Sequence, residues 1–338
     1  MTSPATTRPA RWDYAAPWGA RGYVTDLDGP VHWIEFTPQA PGQAKEQATV
    51  QSTGDTPIVF VHGLGGSHLN WCLLGPHLAA GRRAVALDLH GFGLTPGLRA
   101  NTTVQANARL LDRFIRDVVG TPVILVGNSM GGLISILETA AHPELVKGVV
   151  LIDPALPLPV AKPDWQVSGQ FVLYALPGLG PYTVAKLMRS VPPETAVQQL
   201  VQLCFADPSR ADPEMIKADV ALSTYRHPAT PAEASARARI FLAAARSLLR
   251  VLGRRHRYYA IMAGIDVPVL LIAGEADRLV QVAATRHAAA RNPRWESVIL
   301  PGVGHVPMLE VPEAVTGAIQ DWLGRTQGDN GHAATDRT

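Results

Sequence analysis

Ser129, which lies between glycines, is the residue of this chain best placed to act as a nucleophile. It belongs to Gly-Asn-Ser-Met-Gly-Gly at 127–132, which follows the apolar run 123–126 and precedes a stretch of helical character at 133–141. Glycines at a strand-to-helix turn permit a strained backbone that lifts the hydroxyl off the sheet edge. A lone G-x-S-x-G also fits a purely structural turn, but the flanking strand and helix favour nucleophilic chemistry.

A serine hydroxyl is a weak nucleophile at neutral pH and needs a base, with an acid to orient that base. Asp277 and His305 each follow an apolar run, 269–274 and 297–300 respectively. The carboxyl ends of parallel strands meet at one edge of a sheet, where reactive groups gather. Their order along the chain after the serine is also the order expected for such a sheet. We therefore predict Asp277 as the acid and His305 as the base.

Asp153 is an alternative acid. It directly follows the strand-like run 149–152, and a carboxylate at the end of that strand would reach the same imidazole as Asp277. Asp277 is the preferred assignment, and the alternative stays open at this stage. His62, which precedes a glycine-rich turn, is expected to be structural rather than a second base.

The oxyanion of an acyl-transfer intermediate needs backbone N–H donors, and two are predicted. One is the N–H of Met130, the residue after the serine. The other is the N–H of Leu64, in the turn His-Gly-Leu-Gly-Gly-Ser at 62–67 that follows the apolar run 58–61. This turn has neither the Gly-Lys-Ser/Thr ending of a P-loop nor the G-x-G-x-x-G of a dinucleotide site, which disfavours nucleotide binding.

With these motifs in family order, the chain resembles the α/β-hydrolase superfamily from about residue 55 to about 323. The matching segments are 62–66, 88–93, 127–131, 274–277 and 304–307. The resemblance implies an α/β fold in which a mostly parallel central sheet is flanked by helices, with a helical cap inserted after the sixth strand. It implies Ser129 as nucleophile, Asp277 as acid and His305 as base, with the loop from Asp88 near the site. His90 departs from the family pattern, in which Arg or Pro is more usual.

The composition fits a globular enzyme and excludes several other classes. At 338 residues with 47% hydrophobic and 17% charged residues, the chain is long enough to bury a large core. A net charge of +2 is too small to indicate a partner nucleic acid. Cys72 and Cys204 give neither a disulfide framework nor a metal-binding spacing, and we expect no metal or organic cofactor. The first twenty residues lack the continuous apolar region of a secretory signal, so we expect a cytoplasmic protein.

The succession of strand-like and helix-like segments predicts a core in two parts. Residues 21–153 and 266–323 alternate strands with helices, which is the pattern of a parallel sheet. Residues 1–20 are predicted as an N-terminal arm, and the polar segment 324–338 as a disordered tail. Residues 154–265 contain clustered prolines and several helical stretches but no strand-like runs, which predicts a helical cap.

The predicted cap is basic and contains one markedly apolar segment. Residues 155–265 hold 13 Lys or Arg against 7 Asp or Glu. That charge would attract anionic substrates or a peripheral lipid surface, although solvated helix faces are the preferred explanation. The apolar segment 171–182 has a Pro-Gly break and is too short for a transmembrane span, which needs ~20 apolar residues. It either lines an acyl pocket or packs the cap on the core, and the candidate pocket residues are Phe171, Leu173, Tyr174 and Leu176.

Together these residues predict a serine hydrolase that cleaves small carboxylic esters with apolar acyl groups through an acyl-enzyme. The first alternative is a C–C bond hydrolase of the meta-cleavage type. The motif Gly-Asn-Ser-Met-Gly-Gly resembles the nucleophile turn, or elbow, of those enzymes, although the oxyanion loop lacks their Gly-Gly-Gly-Pro-Gly run. Epoxide hydrolases and haloalkane dehalogenases of this fold would carry Asp in place of Ser129. From another class, a non-catalytic ligand-binding protein with this fold is the remaining alternative.

Overall fold

The structure is a computed structural model that describes residues 6–38, 56–98, 100–157 and 179–332. Its strands are β1 (Thr7–Pro9), β2 (Ala20–Asp26), β3 (Pro30–Phe36), β4 (Ile58–Val61), β5 (Ala84–Leu87), β6 (Val123–Asn128), β7 (Val146–Ile152), β8 (Val269–Gly274) and β9 (Glu296–Leu300). They form one sheet in the order β1-β2-β3-β5-β4-β6-β7-β8-β9. Strands β1, β2 and β3 pair antiparallel, as do β3 and β5, and the remaining neighbours are parallel. The predicted mostly parallel α/β sheet is confirmed.

The helices are α1 (Gly75–Leu78), α2 (Val104–Phe114), α3 (Met130–Ala141), α4 (Leu179–Ser190), α5 (Pro193–Cys204), α6 (Pro213–Arg226), α7 (Pro231–Gly253), α8 (Arg255–Ala263), α9 (Val282–Arg291), α10 (Pro307–Glu310) and α11 (Pro312–His332). Helices α2, α3, α8 and α9 pack in one core layer, while α1 and α11 pack in the other. The sheet is therefore covered by helices on both faces.

Strand β4 shows why the sheet needs both layers. Ile58 and Phe60 point into one hydrophobic cluster, and Val59 and Val61 point into the other, all with no exposed surface. Successive side chains of a strand face opposite sides, so a strand buried on both faces is a continuous apolar run. Each such side chain contributes roughly 1.5–3 kcal/mol through burial. The apolar strands thereby fix the edge at which the candidate site residues gather.

Helices α4 to α8 lie between β7 and β8, in the segment predicted as the cap. The described part of 154–265 is helical and contains no strand. Its helix α6 contacts the core through Arg226, whose guanidinium donates to the carbonyl oxygens of Gly91, at 2.7 Å, and of Gly93. Whether this segment is a separate cap domain stays a prediction.

The described helices also bear on the membrane question. None of them combines the length and the apolar character needed to cross a bilayer. The cytoplasmic location stays a prediction.

The structure describes regular elements near both ends of the chain. Residues 7–9, predicted as part of a loose arm, form edge strand β1, in which Thr7 pairs with Thr25 through a 2.8 Å hydrogen bond between their hydroxyls. All three residues are exposed and show no apolar alternation, so the sequence carried no strand signal. The helical insertion consequently follows the seventh strand, not the sixth. The tail predicted to be disordered from residue 324 is helical as far as His332, because α11 continues without a helix-breaking proline.

Candidate active site

Ser129 stands at a strained turn between β6 and α3. Its backbone has φ 54° and ψ −118°, a conformation that costs a non-glycine residue about 1–3 kcal/mol and persists only where the surroundings enforce it. The enforcement comes from hydrogen bonds on both sides. The Ser129 N–H donates to Ile152 O at 3.1 Å, and the Ser129 carbonyl accepts from Leu133 N at 3.1 Å and Ala155 N at 2.9 Å. The half-buried serine is thus held at the centre of the sheet edge.

The glycines around the serine are required by close backbone approach. A Cβ at Gly131 would lie 2.0 Å from the carbonyl oxygen of Val61, and one at Gly127 would lie 2.7 Å from that of Gly131. Side chains at these positions would push the start of α3 away from β4 and β6. The motif residues therefore pack the first turn of α3 directly against the end of β4, where the predicted oxyanion turn begins.

His305 and Asp277 are brought together as the sequence predicts. His305 Nδ1 lies 2.7 Å from Asp277 Oδ2, and both side chains are nearly fully buried. The other oxygen of Asp277, Oδ1, accepts from Leu279 N at 2.7 Å and from Val280 N at 3.0 Å. These N–H donors fix the carboxylate, which favours the imidazole tautomer that carries its proton on Nδ1 and leaves Nε2 as a base.

Two further contacts, which sequence reasoning missed, hold the loop that carries His305. The Asn128 side chain donates from Nδ2 to the carbonyl oxygens of Ile152, at 3.0 Å, and of His305, at 3.2 Å. The His305 N–H donates to Cys204 O at 2.7 Å. Asn128 immediately precedes the serine, so one residue couples the elbow to the histidine loop. Its place in the motif was the available signal, but its partners become visible only in the folded chain.

Glu310 is a second residue that the sequence did not single out. Its side chain is 3% exposed and accepts hydrogen bonds from Gly304 N at 2.7 Å, Ala206 N at 3.1 Å and Asp207 N at 3.0 Å. Arg210 also donates to it at 3.2 Å. The carboxylate thereby joins the residue before His305 to the segment that follows α5, and positions the histidine loop against the insertion.

Asp153, the alternative acid, lies beside Asp277 but holds a different partner. Both of its oxygens are 3.1 Å from the N–H of Gly274, and its backbone has a positive φ of 41°. Burial, followed by the negative charge of Asp277, raises the pKa of Asp153 well above its ordinary value. Asp153 thus contacts the Gly274 N–H, while Asp277 contacts the imidazole.

The two predicted oxyanion donors belong to segments that adjoin the serine. Met130 is the first residue of α3, and N–H groups in a first helical turn have no acceptor within their helix. Leu64 belongs to the turn after β4, where Gly66 N donates to Gly63 O at 3.2 Å. A Cβ at Gly63 would lie 3.0 Å from the Cβ of Ser129, so this turn passes directly over the nucleophile position.

The predicted pocket residues Phe171, Leu173, Tyr174 and Leu176 lie outside the described residues. The part of the insertion that the structure does describe reaches the oxyanion turn. The ring of Phe241, in α7, lies 3.8 Å from the position that a Cβ on Gly65 would occupy. The acyl-pocket assignment stays a prediction.

A histidine cluster surrounds Asp88, the residue that directly follows β5. Asp88 accepts from His32 Nδ1 at 2.8 Å, from the backbone and Nδ1 of His68 at 2.7 and 2.9 Å, and from Leu94 N at 2.8 Å. Burial opposes ionisation of Asp88, but His68 and His32 hold its pKa well below the ordinary value. The donor atoms of His32, His68 and Asp88 are close enough to bind a metal ion. Their hydrogen bonds already satisfy the carboxylate, however, so the cluster is explained as a structural anchor of the Asp88 loop.

His62 also has a structural environment, as expected from the sequence. Its Nδ1 lies 2.7 Å from Gly63 O, and Nε2 accepts from Leu89 N at 3.1 Å. Burial lowers the pKa of His62 to about 4, so the ring is neutral at physiological pH. It bridges the oxyanion turn to the Asp88 loop.

Comparison with known proteins agrees with this geometry. Residues 58–318 match the Alpha/beta hydrolase family. The chain is 27% identical over 274 residues to a 2-hydroxy-6-oxo-6-(2'-aminophenyl)hexa-2,4-dienoic acid hydrolase of Metapseudomonas resinovorans, covering 80% of this chain and 84% of that one. It is 25% identical over 276 residues to a pimeloyl-[acyl-carrier protein] methyl ester esterase of Yersinia enterocolitica, covering 80% and 93%.

Among solved structures, a membrane phospholipase A described as a bacterial virulence factor superposes with a TM-score of 0.68 at 25% identity, covering 93% of this chain and 89% of that one. The family match extends over most of the chain and includes β4, the serine turn and the loops of Asp277 and His305. The chain belongs to the alpha/beta hydrolase family.

Proposed function

We propose that the protein is a serine hydrolase that cleaves carboxylic esters of apolar acyl groups through a Ser129–His305–Asp277 triad. The observation that carries this proposal is the 2.7 Å contact between His305 Nδ1 and Asp277 Oδ2 at the same sheet edge as the strained Ser129. A buried carboxylate that orients an imidazole, next to a serine on a strained turn, is the arrangement by which serine becomes a nucleophile.

The reaction follows from these positions. Ser129 Oγ attacks the ester carbonyl while His305 Nε2 takes its proton, and Asp277 stabilises the imidazolium through Nδ1–H. The N–H groups of Met130 and Leu64 donate to the oxyanion of the tetrahedral intermediate. His305 then gives the proton to the departing alcohol, and a water molecule, activated by the same imidazole, releases the acid from Ser129.

The surroundings of Asp153 separate its role from that of Asp277. Two ionised carboxylates in one buried site would repel each other. Burial and the charge of Asp277 raise the pKa of Asp153, and its oxygens face the Gly274 N–H while Asp277 contacts His305. This division supports Asp277, rather than Asp153, as the acid of the triad.

C–C bond hydrolysis is the second candidate. It is favoured by the Gly-Asn-Ser-Met-Gly-Gly elbow at 127–132 and by the dienoic acid hydrolase among the relatives. The ester reading is preferred because the turn at 62–67 has no Gly-Gly-Gly-Pro-Gly run, and because a methyl ester esterase is also among the relatives.

Initial-rate measurements with two substrate classes test the proposal. We expect turnover of p-nitrophenyl acetate, butyrate and octanoate and none of a vinylogous diketone. Each methylene that enters an apolar pocket contributes up to ~0.8 kcal/mol, so kcat/KM should rise from acetate towards longer acyl chains. Preference for the dienone would replace the ester assignment with C–C hydrolysis. Absence of turnover with every substrate would favour a non-catalytic binding protein.

Substitutions in the predicted pocket separate acyl recognition from general packing. Leu173→Ser should flatten the dependence of kcat/KM on acyl length while leaving acetate hydrolysis nearly unchanged. Leu200→Ser is a matched control, because Leu200 of α5 is already 54% exposed. Equal loss with all three esters would contradict the acyl-pocket role of Leu173.

A further inference from the structure

Glu138, in the last turn of α3, is a buried carboxyl group whose environment the triad does not explain. It is 2% exposed, and its Oε1 has no hydrogen-bond partner within the described part of the chain. Burying a carboxyl without a partner is costly, and an unsatisfied buried polar atom in a native protein calls for a physical explanation such as an ion.

Two other metal-binding side chains converge on Glu138. His142 is four residues further along and caps the end of α3, and this spacing places both side chains on one helix face. Asp112 comes from the neighbouring helix α2. One donor atom from each of the three residues lies within 4.8 Å of the others, and His142 Nε2 is 3.7 Å from Asp112 Oδ1. Ligand atoms that bind one ion through bonds of about 2.0–2.2 Å are separated from each other by distances close to this 3.7 Å. Small side-chain shifts therefore suffice to bring the three donor atoms onto one ion.

The surroundings provide the orienting contacts that metal ligands usually have. Arg116 Nε donates to Asp112 Oδ1 at 2.7 Å, and Glu144 Oε1 lies 3.6 Å from His142 Nδ1. An ion on Nε2 favours the tautomer that donates Nδ1–H to such a carboxylate. Arg116 Nη2 lies 3.2 Å from His142 Nδ1. With the ion bound, Arg116 would keep its hydrogen bond to Glu144. Helix α3 also ends here, and the partial negative charge of a helix C-terminus attracts a cation.

We propose that Asp112, Glu138 and His142 form a binding site for a divalent transition-metal ion such as Zn²⁺, which fastens α3 to α2. One imidazole nitrogen and two carboxylate oxygens suit Zn²⁺ better than Ca²⁺, which takes six to eight oxygens. With ionised ligands, the three carboxylates of Asp112, Glu138 and Glu144 exceed the charge of Arg116 by two, which a divalent ion balances. The site lies roughly 14 Å along α3 from Ser129, so the ion stabilises the helix and takes no part in ester cleavage.

Calorimetric titration of EDTA-treated protein with ZnCl₂ tests the site. We expect one saturable equivalent in the wild type, and an increase in Tm when Zn²⁺ is added. Glu138→Gln keeps the shape of the side chain but removes the ligand charge, and His142→Ala removes the nitrogen. Glu144→Gln removes only an orienting residue and should weaken Zn²⁺ binding by roughly 10–100-fold. Glu138→Gln and His142→Ala each remove a ligand and should weaken Zn²⁺ binding by more than that.

His256→Ala is the matched control, since His256 is an exposed histidine on α8, and it should bind Zn²⁺ as the wild type does. His142→Ala keeps the test independent of core stability, because the His142 side chain is 38% exposed. Absence of saturable Zn²⁺ binding would overturn the proposal. So would unchanged affinity in both Glu138→Gln and His142→Ala.

Discussion

Among the residues that the structure describes, a buried aspartate holds an imidazole through Nδ1 in two places, and these have different surroundings. Asp277 holds His305 at 2.7 Å, and Asp88 holds His32 and His68 at 2.8 and 2.9 Å. The first pair lies at the carboxyl edge of the sheet beside Ser129. The second is centred on Asp88, which directly follows β5, and the Nε2 atoms of both its histidines are buried without a hydrogen-bond partner among the described residues.

The difference shows that an aspartate–histidine pair is not in itself a catalytic signature. Both carboxylates also accept from two backbone N–H groups, so these contacts do not distinguish them. At Asp88 they hold the loop between β5 and α2 in place. In the proposed triad, the pair at Asp277 leaves the far nitrogen of the ring for the serine. What distinguishes the sites under this proposal is the strained Ser129 and the oxyanion donors that would serve it.

The largest expected effect separates the two carboxylates near His305. Asp277→Asn should lower kcat/KM by about 10⁴-fold, because the amide stabilises the wrong imidazole tautomer. Asp153→Asn should lower it by less than about tenfold, since Asp153 faces the Gly274 N–H, from which an amide oxygen also accepts. Steady-state kinetics on p-nitrophenyl butyrate measure both variants.

The unfolding temperature of each variant serves as the control for this pair. If Asp153→Asn were the less active variant while remaining as stable as Asp277→Asn, the assignment of the acid would reverse.

The second effect concerns stability at the other pair. Asp88→Asn should lower the free energy of unfolding by about 3–5 kcal/mol, because it removes a buried charge and leaves N–H donors facing a poorer acceptor. Urea unfolding followed by circular dichroism measures the loss. Asp277→Asn should change stability much less than activity. Equal loss of stability in the two variants would show that the pairs do not differ as described.

The smallest effect is a pH dependence near the Asp88 cluster. Burial raises the pKa of Asp219 to about 7 from the model-compound value of 3.8, although His68 opposes the shift. The folded state therefore binds more protons than the unfolded state between these values, and stability falls as pH rises through them. Asp219→Asn removes this cost, so its Tm should exceed that of the wild type more at pH 8 than at pH 5. Since Asp219 is half-buried, we expect a difference of about 1 kcal/mol.

A Tm difference between Asp219→Asn and wild type that stays constant from pH 5 to pH 8 would contradict the raised pKa. His68→Gln in a chain that keeps Asp219 extends the test, because it removes the histidine that opposes the shift and should therefore strengthen the pH dependence.

The sequence predicted the residues whose position depends on local signals. Ser129 was indicated by flanking glycines between a strand and a helix, and Asp277 and His305 by their places after apolar strands. The choice between Asp277 and Asp153 was not determined, because both follow buried strands and only the packed loops decide which one meets the imidazole. Asn128 and Glu310 act through backbone groups far away in the chain, which leave no periodic trace in the sequence.

The fold shows the same division. Buried parallel strands such as β4 are apolar on both faces and were predictable. The exposed edge strand β1 was not predictable, because it is held by its backbone pairing with β2 and not by buried apolar side chains. At the proposed metal site, the spacing of Glu138 and His142 lies in the sequence, but Asp112 joins them only through the packing of α2 on α3.

Covalent labelling with a fluorophosphonate, followed by peptide mass mapping, tests the central claim most directly. The probe forms a stable adduct only with a serine that is activated by a base and faces an oxyanion site. We predict one adduct, on Ser129, which disappears in Ser129→Ala and is formed much more slowly in His305→Ala, while Asp88→Asn keeps it in whatever fraction remains folded. Labelling at another residue, or ester hydrolysis that survives in Ser129→Ala above about a tenth of the wild-type rate, would contradict the assignment of Ser129 as the nucleophile.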